Sequence, residues 1–213
     1  QAVVEYFRGL LLTLKGTSSE AMSVSVKWDG APAVVCGINP DNGQFFVGTK
    51  AVFAQAAKIN YTKKDIAKNH GTDELGQKLL KCLVHLKKLN IQGVVQGDLL
   101  YTDEGITRKN IDGKPHLTFT PNTITYAVPE GSELSKQIDR AKLGIIFHTT
   151  YTGESLASMN AQGGADVSSF AQSPDVFFDN ASYKDVSGSA KFTDDETKQF
   201  YNSIDKLETL LSS

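Results

Sequence analysis

The sequence predicts an α+β fold built mostly from antiparallel strands. Two observations carry that reading. Stripes of apolar residues at helical spacing open and close the chain, at residues 2–14 and after Thr193. Between them, apolar runs of strand length alternate with turn clusters, beginning with "NPDNG" at residues 39–43.

The elements follow in order. Residues 2–14 place Val3, Phe7, Leu10, Leu11 and Leu14 on one helical stripe. Residues 23–29 alternate, with Val24, Val26 and Trp28 on one face and Ser25, Lys27 and Asp29 on the other, so a strand is expected. Residues 33–38 continue apolar, and "QFFVGTKAVF" (44–53) reads as the strand returning after the turn. Residues 54–71 are polar and irregular. A helix is expected over 72–89, with Leu75, Leu79, Leu83 and Leu86 on one face. Strands are expected at "IQGVVQGDLLY" (91–101), within 116–129 and at "LGIIFHTTY" (143–151), with a short helix over 132–142. Residues 153–190 carry no assignable pattern. Thr193 and Glu196 have capping-box spacing ahead of Phe200, Ile204, Leu207 and Leu211.

Length and composition set limits. A chain of 213 residues suits one domain, or one domain with an appendage, and allows a real core, and 40% hydrophobic with 22% charged residues is ordinary globular composition. No apolar stretch approaches the roughly 20 residues of a membrane span, and "GLLLTL" is too short. Cys36 and Cys82 lack metal-ligand spacing and read as buried thiols of a cytoplasmic protein, a disulfide being the alternative. Gln1 in place of Met suggests a start inside a longer chain. Net charge is −2, but residues 50–90 hold nine lysines against Asp65, Asp73 and Glu74. That basic middle can face a polyanion or be a solvated helix surface.

The stretch "VSVKWDGAPAVV" (24–35) sets Lys27 on the polar side of its strand, with Asp29 beside it and Gly30 allowing close backbone approach. A lysine so held can be an ion-pair partner, or a nucleophile if neighbouring cations or burial lower its pKa. Lys27-Trp28-Asp29-Gly30 resembles the K-x-D-G signature of the covalent nucleotidyltransferases, which include ATP-dependent DNA ligases, RNA ligases and mRNA capping enzymes. Three further elements follow in the family's order. "VGTKAVF" supplies Gly48, Thr49 and Lys50; "VVQGDLLY" supplies Gly97, Asp98 and Leu99, with aspartate where the family has glutamate; "LGIIFHTTY" resembles the next apolar strand. The wording "KWDGAPA", "FFVGTK", "QGDL" and the "FHTTYTG" that ends the last strand is similar to a tailed-phage branch of RNA-ligase-like proteins.

That resemblance implies an ATP-grasp-like adenylation domain of antiparallel sheets flanked by helices, covering 1–213. It implies an ATP- and Mg²⁺-dependent polynucleotide ligase, joining RNA or DNA with 5′-phosphate and 3′-hydroxyl ends through a covalent lysine–AMP, in the cytoplasm of an infected bacterial host if phage-encoded. By resemblance Lys27 is the nucleophile. Asp29 and Gly30 support it at the nucleotide, and Lys50 sits near ribose or phosphate. Asp98 holds a ribose hydroxyl or a metal-bound water, and Phe147 or Tyr126 stacks on the purine. The sequence departs from the family late in the chain. No strand carries the metal-serving glutamate, "EGIT" (104–107) comes too soon after Asp98, and Lys184 or Lys191 only loosely imitates the last lysine. A domain lacking its last strands is therefore expected, and a catalytically silent nucleotide- or nucleic-acid-binding module on the same fold is the second reading.

Overall fold

A computed structural model describes residues 2–16, 25–182 and 191–212. Val24 and Lys184, both weighed above, lie outside the described residues. Two compact units are found: residues 1–25 with 182–213, and residues 26–181.

The first unit is a pair of helices, α1 (Ala2–Leu14) and α5 (Asp194–Ser212). Val4, Leu11 and Ile204 are buried between them, with Phe7, Phe200 and Leu207 packed alongside. The expected capping box closes the start of α5: the Glu196 carboxylate accepts from the Thr193 backbone N–H and hydroxyl, and Thr193 accepts from the Glu196 N–H.

The second unit contains two sheets. β1 (Ala33–Ile38) and β2 (Phe45–Gly48) form the expected hairpin, with Val35 opposite Gly48. β3 (Val94–Thr102) pairs β1 on one side and β7 (Leu143–Thr152) on the other, both antiparallel. β8 (Asn160–Gly163) adds to β7 antiparallel, whereas β9 (Val176–Asn180) adds to β7 parallel. The smaller sheet is β4 (Thr107–Ile111), β5 (Lys114–Phe119) and β6 (Tyr126–Pro129). The strands expected around 117–128 therefore do not join the others in one sheet.

Three helices complete the unit. α2 (Lys63–His70) arises in the segment read as irregular: Thr62 and Asp65 form a reciprocal capping box, which fixes a start that the polar composition hid. α3 (Glu74–Leu86), capped by Asp73, lays Leu79, Cys82 and Leu86 on the main sheet, against Val34, Cys36, Val95, Leu99, Ile145 and Phe147. α4 (Glu133–Arg140), capped by Ser132, buries Ile138 in the cluster that the small sheet makes with Leu100 and Ile146. Cys36 and Cys82 are both buried free thiols. No helix among the described residues is long and apolar enough to cross a membrane.

Candidate functional site: one face of the central strands

Strand parity divides the sheet. Val95, Leu99, Ile145 and Phe147 face α3, so Gln96, Asp98 and Ile146 face the other way. That second face is apolar at both ends. Val35, Phe46 and Val94 with Tyr151 cover one end, and Leu100 and Ile146 with Trp28 and Tyr126 cover the other. Polar side chains occupy the middle.

A β-bulge builds the middle. Gln96 lies opposite Thr149 and Gly97 opposite Phe147, so His148 has no partner in the ladder. A bulge lets two successive residues share a face. The contacts agree. His148 Nε2 lies 3.3 Å from Asp98 Oδ1, while its Nδ1 is 2.8 Å from the Thr149 hydroxyl. Next to them the Tyr151 hydroxyl donates to Gln96 Oε1 at 2.7 Å, and burial raises the Tyr151 pKa, so the phenol keeps its proton for that bond. Gly97 is required between the polar pair: a Cβ there would lie 2.7 Å from the Ile146 carbonyl oxygen and 2.9 Å from Ile145 Cγ1. His148 sits inside a strand that otherwise reads as core, and that polar interruption is the signal that marks it.

The segment containing Lys27 is not a strand. Val26 to Gly30 form a loop across this face. At one end the Val26 N–H donates to the Ala181 carbonyl, and the Ala181 N–H donates to the Phe147 carbonyl. At the other, Gly30 lies on Asp98: a Cβ at Gly30 would stand 2.5 Å from Asp98 Cβ. The Ala31 N–H then donates to the Leu99 carbonyl, ahead of a cis Ala31–Pro32 bond. Trp28 packs on Tyr126 at 5.2 Å between centroids, in the same cluster as Ile146, which fixes the face the loop crosses. Lys27 is exposed, three residues from Gly30, so its backbone lies within roughly 10 Å of the Asp98 contact.

Asp29 holds this loop to the small sheet. Its carboxylate accepts from the Thr123 and Ile124 backbone N–H groups, the Thr123 hydroxyl and the Asn122 amide, at 2.7 to 2.9 Å. Its own N–H donates to the Tyr126 hydroxyl at 2.8 Å. The Ile124 N–H and the other donors hold the carboxyl well below the usual carboxylate range. Four acceptor contacts account for both oxygens, so this carboxylate anchors the loop between β5 and β6.

Lys50 is exposed two residues beyond Gly48, where β2 gives way to a short 3₁₀ turn over Lys50–Phe53 that Thr49 caps. Gly48 stands opposite Val35, and two rows further toward Lys50 the sheet runs through Ala33, Asp98 and Ile146. Lys27, Gly30, Lys50 and Asp98 are thus brought to the same end of the central strands. Phe147 is not. It is completely buried on the α3 side, edge-on to Phe170 at 5.4 Å, so stacking on a ligand at the Asp98 face is excluded. The bulge puts its neighbour His148 on that face instead. Tyr126 is occupied by Trp28, Phe119 and the Asp29 N–H.

Asp98 has one carboxylate oxygen engaged by His148, and no group of three or more His, Cys, Asp or Glu suited to a metal occurs among the described residues. One carboxylate fits Mg²⁺ where substrate phosphates supply further oxygens, the usual manner of holding that ion. A 280 Å³ cavity borders the end of the loop at Ala31 and Leu99 and is lined further by Lys78, Lys81, Glu104 and Thr120 among others. Its lysines are already paired with Glu74, Asp103 and Glu104, so it is a weaker candidate.

No curated protein and no solved structure matches the chain. A family model does, over residues 1–213, and the chain accordingly belongs to the family of unknown function DUF6267.

Proposed function

We propose that the 26–181 unit is an ATP-dependent nucleotidyltransferase of the polynucleotide-ligase type, an RNA ligase by its wording, with Lys27 as nucleophile. One observation carries this reading. The Lys27-Trp28-Asp29-Gly30 loop is laid directly on Asp98, so two motif elements far apart in sequence meet at one point. Coincidental four-residue matches have no reason to converge in this way.

In the proposed reaction the neutral Lys27 Nζ attacks the α-phosphorus of ATP. An N–P bond forms, the α–β P–O bond breaks, pyrophosphate leaves and the amine loses a proton. Lys50 offsets negative charge on the phosphates, and Asp98 holds a ribose hydroxyl or shares in binding Mg²⁺. When bound, that ion neutralises triphosphate charge and eases departure of the leaving group. Asp29 acts one step removed. By locking the loop to residues 122–124 it fixes the backbone from which Lys27 projects, which is the role of a positioning residue.

A second reading, a nucleotide- or nucleic-acid-binding module without turnover, is favoured by two specific facts. The Asp29 carboxylate is fully occupied, and Phe147 is sealed in the core. Incubation with ATP labelled at the α-phosphate, followed by a denaturing gel, separates the two. Covalent label that disappears in Lys27→Arg, with thermal stability kept, supports the transferase, because guanidinium is too weak a nucleophile at neutral pH. Label of equal strength in Lys27→Arg removes Lys27 from the account. No label in either, with ATP still bound, leaves the silent module.

A further inference from the structure

Among the described residues, six cations of the 26–181 unit are ion-paired, and of the ten that are not, five fall between residues 50 and 68. Lys78, Lys81, Lys88, Arg108, Lys136 and Lys142 each have a carboxylate partner. Lys50, Lys58, Lys63, Lys64 and Lys68 are all exposed, and none has an ion-pair partner among the described residues. Between residues 50 and 71 the only acid is Asp65, giving five positive charges against one negative. That one carboxylate is turned back into the capping box, where the Thr62 hydroxyl and the Thr62 and Tyr61 N–H groups hold its pKa down.

These lysines are continuous in space. The Lys58 N–H donates to the Ala51 carbonyl, next to Lys50. The Lys58 ammonium donates to the Asn69 carbonyl at 3.2 Å, next to Lys68 on α2. Lys64 and Lys68 share a helix face at i, i+4 spacing, where like charges repel. Lys63 and Lys64 occupy the first turn of α2, the end where the helix dipole disfavours cations. Lys68, in the last turn of α2 and near Asp65, is favourably placed, but the charges of Lys63 and Lys64 gain nothing from the helix, and a row of phosphates would relieve both repulsions.

We propose that the strip from Lys50 through Lys58 to Lys63, Lys64 and Lys68 binds the phosphodiester backbone of a polynucleotide strand, and guides it along α2 toward the Asp98 face. This goes beyond the nucleotide site and does not require turnover there. A polynucleotide fits better than an anionic membrane. No large hydrophobic side chain is exposed between residues 50 and 71, so the strip has nothing to insert between lipids.

The test measures fluorescence anisotropy of labelled single-stranded RNA and single-stranded DNA over a salt series. The chain should bind both, and the triple variant K63Q/K64Q/K68Q should bind at least about tenfold more weakly at low salt. Its slope of log affinity against log salt should fall by about 2, for three lost single-strand phosphate contacts. K63R/K64R/K68R should restore binding, and K136Q/K142Q, at ion-paired positions, should leave it unchanged. Circular dichroism confirms that the variants are folded. Equal binding by the K63Q/K64Q/K68Q variant and the wild type, or no binding by the wild type, overturns the proposal. So does capture by phosphatidylserine vesicles without oligonucleotide binding, which would make the strip a membrane surface. Covalent AMP formation is read in parallel. Oligonucleotide binding without any AMP label refutes the transferase and keeps the strip, whereas label without strip-dependent binding does the reverse.

Discussion

The two faces of the six-stranded sheet are made by the same strands and have opposite characters. Under α3, Val34, Cys36, Val95, Leu99, Ile145 and Phe147 form a continuous apolar layer. Burial there pushes the Cys82 thiol up to about 12, which leaves it inert. On the other face the apolar cover is interrupted at Gln96, Asp98, His148 and Thr149, and a loop held by backbone hydrogen bonds crosses the gap. A single strand thus supplies core and candidate site alternately. The boundary between them is one side chain wide, so Phe147 and His148 differ in role because they differ in direction.

Substitutions at these two neighbours should separate the faces. The largest effect is expected from Phe147→Ala, which empties a fully buried site in the α3 layer. It should cost about 3 to 5 kcal/mol in denaturant unfolding; a loss under 1 kcal/mol would mean the layer repacks freely. Gly30→Ala should come next. Its Cβ meets backbone and Cβ atoms of Asp98 and Leu99, which have no flexible end to swing away. A cost of about 1 to 3 kcal/mol is expected, together with movement of the Lys27 loop. A crystal structure with the loop unmoved would break the argument that Gly30 sets it.

Asp29→Asn should act in a pH-dependent manner. The folded-state pKa of Asp29 lies below its ordinary value of 3.8, so its contribution is present above that value and is lost as pH falls through the acid range. The gap in unfolding midpoint between wild type and Asp29→Asn should therefore be widest near neutrality and close below about pH 4. A gap independent of pH would mean that shape, not charge, holds the loop. The smallest stability effects belong to His148→Ala and Asp98→Asn, each within about 1 kcal/mol for half-exposed groups. Under the transferase proposal Asp98→Asn should nonetheless weaken AMP labelling. Full labelling would remove Asp98 from the site.

Where side-chain periodicity and local turn chemistry decide structure, the sequence was readable. The hairpin around "NPDNG", the buried strands containing Gly97 and Ile145, and the amphipathic α3 all fall where the apolar spacing puts them. β4 was missed because all five of its residues are exposed, so it carries no apolar alternation. The parallel return of β9 was missed because it depends on a long irregular connection from β8. Residues 26–30 alternate like a strand, yet Asp29 and Gly30 find better partners in the 122–124 loop and on Asp98 than a neighbouring strand offers. At the candidate site, the position of Asp98 against Gly30 follows the motif order. Phe147, offered with Tyr126 as a stacking residue, faces α3 because the face each β7 residue presents is set by cross-strand register, which no local pattern records.

The unpaired position in β7 also makes the polar cluster separable from the sheet that carries it. Gln96 stands opposite Thr149 and Gly97 opposite Phe147, so deleting residue 148 joins two rows that are already in step. Every residue on either side keeps its β3 partner and its direction. Removing a residue from the middle of a regular strand instead turns everything beyond it inside out. The chain therefore contains a point where shortening by one residue erases the contact to Asp98 and keeps the β3–β7 ladder in register, at the cost of the carbonyl that accepts from the Gly164 N–H.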